Sequence, residues 1–319
     1  MLPYLQLLRL PTVFTAMADI ILGFVLTQGF LYGPLTAGAV PGPALELSWN
    51  HPLEFVGLLV ASACLYLSGM VFNDVFDVQQ DTAERPGRPI PSGRVTLRSA
   101  AMLGCVLMMV GVGAAAAVSL VSMVVAMLLV IAILGYDSYL KRTPLGPLAM
   151  GTCRFLNVLL GGSLQTQLAD LLNSPLLPAA IGLGTYIVGV TVFARTEART
   201  SSRWQLALAQ LIMNVGFGVL IWLMVSSPGR SAVGVSLAML LVVAFTINRR
   251  GLEALRSPSP ATVQGSIKVM LLSLVILDAT LIHWHLNQAD GLGIGVMHAI
   301  ATSLLVVPAM LLSRFIPMT

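Results

Sequence analysis

The sequence predicts an all-α integral membrane protein, and three observations support this fold class. Hydrophobic residues make up 57% of the 319-residue chain and charged residues only 9%, whereas soluble domains carry about 25% charged residues. The mean hydropathy is +0.90. Apolar runs of about 20 residues recur along the chain, and each is long enough for a helix to cross the roughly 30 Å hydrocarbon core of a bilayer.

Ten apolar segments are candidate membrane spans: 12–30, 54–73, 99–117, 120–137, 145–164, 176–195, 204–225, 232–248, 264–284 and 292–312. Only a short turn can separate the third span from the fourth. The longest connections are 31–53 and 74–98, and the SPSP stretch at 257–260 indicates a connector. None of these is long enough for a soluble domain, so residues 1–319 are predicted to form a single polytopic membrane domain.

The basic residues predict the orientation of the spans. If the N-terminus is cytoplasmic, 15 of the 17 Lys and Arg residues fall in cytoplasmic segments or, as Arg195 and Lys268 do, at the cytoplasmic ends of spans; Arg230 lies outside and Arg154 lies within a span. This asymmetry follows the positive-inside rule. We expect a multi-pass protein of the bacterial cytoplasmic membrane with both termini cytoplasmic. The net charge of +4 then reflects orientation and attraction to anionic lipids or substrates, and no nucleic-acid partner is predicted.

An acidic cluster, NDVFDVQQD (73–81), directly follows the second apolar run. Asn73, Asp77 and Asp81 are spaced four apart, which places them on one face of a helix with Asp74 beside them. Like charges at this spacing repel one another unless a cation neutralises them, and Mg²⁺ takes oxygen ligands from carboxylates, phosphates and water. Asn73, Asp74, Asp77 and Asp81 are therefore the candidate metal ligands. A solvated loop that serves topology is the alternative, but acidic residues contribute little to topology.

A basic segment, RPGRPIPSGR (85–94), follows the acids. Arg85 and Arg88 can contact a phosphate group because a guanidinium matches phosphate oxygens bidentately. Prolines 86, 89 and 91 are predicted to hold the segment extended and non-helical. Acidic residues suited to a metal ion and basic residues suited to a phosphate group thus lie next to each other at one predicted membrane edge.

These motifs resemble a known family. NDxxDxxxD (73–81) followed by RPxRPIPSG (85–93) resembles the first acidic motif of the UbiA superfamily of membrane prenyltransferases. LRLPTVFTAMAD (8–19) and YDSYLKRTPLGPLAMG (136–151) are similar to further segments of that superfamily. The three matches cover the first half of the chain. The likeness is closest to EboC-type members, whose pattern FARTEA (193–198) also fits.

The resemblance implies a UbiA-type bundle of nine to ten transmembrane helices, nine being usual in the family and ten being favoured by the charge pattern here. It implies Mg²⁺-dependent transfer of a prenyl group from a polyprenyl diphosphate to an aromatic or lipid-like acceptor. The expected catalytic residues are Asp74, Asp77, Asp81 and Glu197. The expected diphosphate-binding residues are Arg9, Arg85, Arg88, Lys141, Arg142 and Arg195. Topology alone also explains Arg9, Lys141 and Arg142.

The chain departs from the family at its second acidic motif, commonly DxxxD. The corresponding segment reads TVFARTEARTSSRW (191–204), so Ala194 and Arg195 stand where Asn73 and Asp74 stand in the first motif. Glu197 is the remaining acid there. Either Glu197 or Asp137 contributes to a second metal site, or Glu197 pairs with Arg195 or Arg199 as a rim salt bridge. Arg195 can replace a cation by contacting the diphosphate directly.

Charged groups within spans are costly and point to function. Arg154 and Asn157 share a helix face at i, i+3 and are candidates for the acceptor site or cavity, with an interhelical hydrogen-bonding role as the alternative. Asp19 favours a polar helix-packing contact, and Asp278 is open to either interpretation.

Two further functions compete with catalysis. The degenerate second motif favours a non-catalytic protein that binds or transports isoprenoid lipids with the same fold. A secondary transporter would show paired broken helices in inverted halves, and the sequence carries only a weak echo between VF at 71–72 and VF at 192–193.

Overall fold

The computed structural model describes residues 2–34, 47–164, 168–197, 200–227, 233–287 and 293–312. The described helices are α1 (Leu2–Leu8), α2 (Val13–Gln28), α3 (Pro52–Phe76), α4 (Val78–Glu84), α5 (Leu97–Val118), α6 (Leu120–Ser138), α7 (Gly146–Gly161), α8 (Leu168–Asn173), α9 (Leu176–Ala194), α10 (Arg203–Ser226), α11 (Val233–Arg256), α12 (Pro260–Leu286), α13 (Ile294–Ser303) and α14 (Val306–Leu312). Short 3-10 turns cover Leu10–Thr12 and Leu140–Arg142. Arg199, Arg230 and Arg314 lie outside the described residues.

Nine segments of the described chain are long and apolar enough to cross a membrane, which confirms the predicted class. They are Pro3–Gln28, α3, α5, α6, α9, α10, α11, α12 and Ile294–Leu312. The connection predicted at 31–53 also contains a short antiparallel strand pair, β1 (Tyr32–Pro34) with β2 (Leu47–Trp49), in which Tyr32 lies opposite Trp49. The sequence pattern did not predict this pair.

The fifth predicted span, 145–164, corresponds to α7. With 16 residues, this helix is about 24 Å long at 1.5 Å per residue, shorter than the roughly 20-residue length of a straight span. It packs between α2, α6 and α9 inside the bundle. The nine long apolar segments therefore differ from the ten predicted spans by this one short, internal helix.

The boundary between α5 and α6 is as tight as the sequence predicts. Ser119 alone separates the two helices, in an extended conformation with φ −163° and ψ 163°. Its hydroxyl accepts a hydrogen bond from the Ser122 amide at 2.9 Å and thereby caps α6. The SPSP connector is similarly sharp, since α11 ends at Arg256, Ser259 caps the next helix and α12 begins at Pro260.

Glycines allow α7 to approach α2 closely enough to bring their polar side chains together. A Cβ on Gly161 would lie 2.7 Å from the Ile20 carbonyl oxygen, and Gly23 faces the backbone of the same turn of α7. Small residues permit such approach between membrane helices. This crossing sets Asp19 of α2 against Arg154 and Asn157 of α7.

A small apolar cluster anchors the segment that follows α4. Ile90 and Val95 are buried against Leu7 of α1 and Val71 of α3. This contact is separate from the main core between the long helices. It holds the basic segment 85–94 over one end of the bundle.

Candidate active site

A central cavity of about 350 Å³ opens between α2, α3, α6, α7, α9 and α12. Its walls are largely apolar and include Leu129, Ile133, Met150, Ile187, Val190, Ile267, Leu271 and Leu274. At one end, the rim of the cavity carries Arg9, Asn73, Asp137, Ala194 and Glu197. The cavity thus combines apolar walls with a polar rim, as an amphipathic ligand requires.

A second, more open pocket of about 530 Å³ lies beside this rim. We call it the rim pocket, and it is lined by Gln6, Arg9, Asp74, Arg85, Gly87, Arg88, Pro89, Arg94, Glu197 and Gln264. Four arginines face two carboxylates, which leaves a formal excess of two positive charges and favours an anionic ligand. Arg9 and Glu197 line both spaces, so the rim pocket and the central cavity meet at these two residues.

The acidic cluster does not lie on one continuous helix. α3 ends at Phe76, Asp77 has φ −91° and ψ 5°, and α4 starts at Val78. Hydrogen bonds continue through the junction, from the Asp77 amide to the Asn73 carbonyl at 3.1 Å and from the Asp81 amide to the Asp77 carbonyl at 2.8 Å. The side chains nevertheless divide into two groups, and the prediction of one shared face is wrong.

The first group is Asp74 and Asp81, which share the guanidinium of Arg88. Arg88 Nη1 donates to Asp74 Oδ1 at 3.2 Å and to Asp81 Oδ2 at 2.6 Å. Arg9 Nη2 donates to the same Asp74 oxygen at 2.8 Å. Both carboxylates are buried and little solvated by water. The guanidinium groups of Arg88 and Arg9 balance their negative charges instead.

The second group surrounds Asp77 and Asn73. Lys141 Nζ lies 2.8 Å from Asp77 Oδ1, and Arg142 Nη2 lies 3.4 Å from the same oxygen. The Asn73 side-chain amide donates to Asp137 Oδ1 at 3.0 Å. Lys141 and Arg142 therefore meet the acidic motif, as the sequence predicts, but at Asp77 and outside the rim pocket.

The proline-containing segment after α4 forms compact turns, so the predicted extended conformation is wrong although the segment is non-helical. The amides of Arg88, Ser92 and Gly93 donate to the Arg85, Arg88 and Ile90 carbonyls. Gly93 has a φ of +72°, which residues with a Cβ rarely adopt. Proline fixes φ near −65°, a value that is also compatible with turns. Burial of Ile90 and Val95 favours the compact form.

Arg94 lies on these turns and was assigned only to topology by the sequence pattern. Its guanidinium donates to the Gly87 carbonyl at 2.5 Å, to Ser92 Oγ at 2.9 Å and to Gln6 Oε1 at 3.3 Å. All three partners are uncharged, so among the described residues no acid pairs with the positive charge that Arg94 brings to the rim pocket. Arg94 directly follows the family motif RPxRPIPSG (85–93) in the sequence. Because it lies outside that motif, it was not predicted as a site residue.

The second motif contributes Glu197 and Arg195 in different ways. Glu197 lines both pockets, and burial raises the pKa of its carboxyl while the positive charges of Arg85 and Arg9 oppose that rise. Arg195 is exposed and donates to the Thr143 carbonyl at 2.5 Å rather than to Glu197. Of the two pairings predicted for Glu197, the one with Arg195 is not formed, and Arg199 lies outside the described residues.

Arg154 and Asn157 lie at the other end of the central cavity. Arg154 Nη2 is 2.7 Å from Asp19 Oδ1 and donates to the Thr15 carbonyl at 2.9 Å. Asn157 Nδ2 donates to Asp19 Oδ2 at 2.8 Å and to the Ala16 carbonyl at 3.0 Å. Both side chains therefore line the cavity and also join α7 to α2, which confirms the interhelical role, while contact with an acceptor stays a prediction.

The structure adds Tyr66, Tyr136 and Gln264 to the residues at these pockets. Asp137, which the sequence offered as a further metal-site acid, is buried and bonded to Asn73 at the rim. The YD pair at 136–137 ends an apolar run, and that position was a signal in the sequence. The tyrosines and Gln264 carried no comparable signal.

The acids fit a magnesium ion that is shared with a substrate. Asp74 and Asp81 lie close enough to contact the same Arg88 nitrogen beside an open pocket. Among the described residues, no three His, Cys, Asp or Glu side chains converge as a metal site. Mg²⁺ commonly uses one or two carboxylates and completes its shell with phosphate oxygens and water. The four-ligand set Asn73, Asp74, Asp77 and Asp81 stays a prediction.

Comparison with known proteins decides the family. The model of the UbiA prenyltransferase family matches residues 31–275. The chain belongs to the UbiA prenyltransferase family. The closer likeness to EboC-type members stays a prediction.

Several curated relatives of this UbiA-family chain share one name. The chain is 37% identical over 127 residues to the digeranylgeranylglyceryl phosphate synthase of Metallosphaera sedula, covering 39% of this chain and 45% of the relative. It is 30% identical over 163 residues to the synthase of the same name from Methanosarcina barkeri, covering 50% and 54%. The chain spans about half the length of the curated relatives it matches.

Solved structures show the same UbiA fold. A UbiA homologue from Aeropyrum pernix K1 matches with a TM-score of 0.61 and 18% identity, over 85% of this chain and 96% of that one. A homologue from Archaeoglobus fulgidus bound to GPP and Mg²⁺ matches with a TM-score of 0.53 and 16% identity, over 84% and 99%. The all-helical membrane bundle predicted from the sequence is therefore confirmed.

Proposed function

We propose that this protein transfers a prenyl group from a polyprenyl diphosphate to an aromatic or lipid-like acceptor within the membrane. One observation carries the proposal: the arginine-rich rim pocket and the apolar central cavity meet at Arg9 and Glu197. A polyprenyl diphosphate has the complementary form, with an anionic head and an apolar tail. The name of the curated relatives and the GPP and Mg²⁺ in a homologue of the same fold support this substrate class.

The rim residues have distinct roles in this reaction. Arg9, Arg85 and Arg88 hold the diphosphate in the rim pocket and stabilise the negative charge that grows on the leaving pyrophosphate. Lys141 and Arg142 at Asp77, and Arg195 at Thr143, supply further positive charge nearby. As the allylic C–O bond breaks, the acceptor forms the new bond to the prenyl carbon and loses its proton, so pyrophosphate and a proton are released.

Asp74 and Asp81 would hold Mg²⁺ together with the diphosphate, with Asp77 and Asn73 as additional oxygen donors. When bound, the ion supplies positive charge against the departing pyrophosphate. Glu197 and Asp137 face the same rim and complete its set of carboxyl groups. Because Ala194 and Arg195 replace an amide and an acid of the first motif, positive charge from Arg195 substitutes for part of a second metal site.

We further propose that the rim faces the cytoplasm of a bacterial cell and that both termini are cytoplasmic. Of the basic residues, 15 of 17 fall on that side under the ten-span arrangement, which the positive-inside rule favours. Prenyl diphosphates are then taken up through the rim from the cytoplasmic leaflet.

A non-catalytic isoprenoid-binding or transport protein is the second candidate. The specific observation in its favour is the second motif, where Glu197 is the remaining acid and Arg195 is turned to the Thr143 carbonyl. Such a protein would use the same rim pocket and cavity to hold its ligand without breaking the C–O bond.

Incubation of the purified protein with Mg²⁺, labelled prenyl diphosphates of increasing chain length and a lipid extract from the host separates the candidates. Mass spectrometry should detect a prenylated lipid or aromatic product that is absent when Mg²⁺ is chelated. Binding of the labelled diphosphates without any product would support the non-catalytic candidate.

A further inference from the structure

Three helices lead from the rim to one buried polar cluster, which we call the cavity floor and define as Asp19, Arg154, Asn157 and Asp278. The first three line the central cavity, and Asp278 lies behind them, 3.7 Å from Arg154. On α12, Gln264 lines the rim pocket, and Ile267, Leu271 and Leu274 follow down the cavity wall. Steps of three and four residues keep a single helix face. Asp278 continues that face one turn deeper and is fully buried.

The floor lies far below the diphosphate-binding rim. Asp19 is ten residues beyond Arg9, and a helical rise of 1.5 Å per residue separates them by roughly 15 Å. The walls between the two are largely apolar. A diphosphate held by Arg9 at the rim therefore cannot reach the floor, so the floor contacts another part of the reacting pair.

The charges of the floor do not favour an anion. Arg154 Nη2 lies 2.7 Å from Asp19 Oδ1 and 3.7 Å from Asp278 Oδ2, so two carboxyl groups face one guanidinium. With both ionised the cluster is negative, and with one proton held between the two carboxyls it is neutral. In neither state is positive charge left over for a carboxylate or phosphate.

Helix packing does not use all of the polar atoms of the floor. Asn157 is bonded to Asp19, to the Ala16 carbonyl and to Ser62 Oγ, which donates to it at 2.7 Å. Within the described part of the chain, by contrast, Arg154 Nε makes no hydrogen bond, and the Asp278 carboxyl has the Asp19 carboxyl and the Arg154 guanidinium as its only polar neighbours. Buried polar atoms within a membrane are costly when they are left without partners.

We propose that the cavity floor binds an uncharged hydrogen-bonding group, such as an alcohol hydroxyl, on the acceptor. A hydroxyl can donate to the carboxylate of Asp19 or of Asp278 behind it and accept from Arg154 Nε, which matches the acceptor and donor atoms that the cluster leaves available. A site built to bond a hydroxyl rejects a group that cannot make those bonds. This inference rests on the proposed function, since it assigns the acceptor half of the same cavity.

Two probes that differ in one group test the proposal: 4-hydroxybenzyl alcohol, which is neutral, and 4-hydroxybenzoate, which is an anion. The full-length protein is reconstituted in nanodiscs and saturated with geranyl thiolodiphosphate and Mg²⁺, so that the basic rim is occupied. Calorimetric titration should give a dissociation constant at least tenfold lower for the alcohol than for the benzoate. Failure of the thiolodiphosphate to bind would contradict the proposed function instead.

Variants locate the binding on the floor. Asp278→Asn and Arg154→Gln should each weaken binding of the alcohol at least tenfold, whereas Asp170→Asn, the same change at an exposed aspartate, should not. Thermal melting of each variant identifies any that do not fold, and the comparison of the two probes on the unaltered protein needs no variant. Benzoate binding as tight as the alcohol, binding of neither probe, or unchanged alcohol affinity in both floor variants would overturn the proposal.

Discussion

Arg9 Nη2 lies 2.8 Å from Asp74 Oδ1, and this ion pair joins the first span to the end of α3 across 65 residues of sequence. Arg9 also lines both the rim pocket and the central cavity. Its backbone has φ 44° and ψ 46°, a left-handed conformation between α1 and the Leu10–Thr12 turn. A non-glycine residue in this region indicates local strain that the surrounding structure must hold.

Two substitutions at Arg9 separate the effect of its positive charge from the effect of its left-handed backbone conformation. Arg9→Gly relieves the left-handed strain, which for a non-glycine residue is about 1 kcal/mol or more, and removes the guanidinium. We expect donor diphosphate affinity to fall at least tenfold, about 1.4 kcal/mol, while Arg9→Ala should lose the same affinity and melt at a lower temperature than Arg9→Gly. Titration with geranyl thiolodiphosphate and a thermal melt measure both effects.

Arg249→Ala is the matched control for Arg9, because Arg249 is an exposed arginine that pairs with Glu253 at 3.3 Å. It should leave donor affinity unchanged. An Arg9→Gly variant that binds the donor as tightly as the unaltered protein would reduce Arg9 to a residue of topology.

Arg88 and Lys141 should matter for donor binding through different acids. Arg88→Ala leaves Asp74 and Asp81 without their shared cation, and Lys141→Ala leaves Asp77 with Arg142 alone. We expect each change to weaken donor affinity at least tenfold, with the larger loss for Arg88 because it lines the rim pocket. The measurement is donor titration of folded variants, and unchanged affinity in both would show that their charges serve orientation.

Much of the fold could be predicted from the sequence because the length of an apolar segment can be read directly from consecutive residues. The span predicted at 54–73 is α3, Pro52–Phe76, and the turn predicted between 117 and 120 is the single residue Ser119. The short length of α7 was less evident, since the apolar run at 145–164 continues beyond the end of that helix at Gly161. Sequence hydropathy does not register where a helix stops within an apolar segment.

The site was predictable in its members and less so in its pairings. The motifs identified Asp74, Asp77, Asp81 and the arginines around them, but a spacing of four residues suggested one face for side chains that diverge at the α3–α4 junction. Partners such as Arg9 and Asp74 are chosen by tertiary packing. The floor likewise joins α2, α7 and α12, a relationship that no local pattern contains.

Arg195 and Glu197 of the second motif are expected to differ in their contribution to donor binding. Arg195→Ala should weaken donor binding more than Glu197→Gln, because Arg195 supplies positive charge at a position where the family carries an acid. Glu197, by contrast, lies near the positive charges of Arg85 and Arg9, which favour its ionised form. Donor affinity with and without Mg²⁺ is the measurement. If Glu197→Gln removes the Mg²⁺ dependence, Glu197 is a metal ligand and the assignment of positive charge to Arg195 is wrong.

Orientation can be tested with reporter fusions. Fusions at residues 90, 200, 255 and 317 should report a cytoplasmic location, and those at 40, 170, 228 and 288 the opposite side. A C-terminal reporter on the outer side would remove one span from the ten and restore the nine-span plan.

The most direct test of the central claim is release of pyrophosphate from geranyl diphosphate by the purified protein, with host lipid extract present. We predict release that requires Mg²⁺ and falls roughly hundredfold in the Asp74→Asn/Asp81→Asn double variant, the scale expected when stabilisation of a developing charge is lost. Exposed Glu84→Gln, on the same α4 helix as Asp81, is the matched control and should retain activity. Tight binding of the diphosphate to the unaltered protein without any pyrophosphate release would contradict the claim.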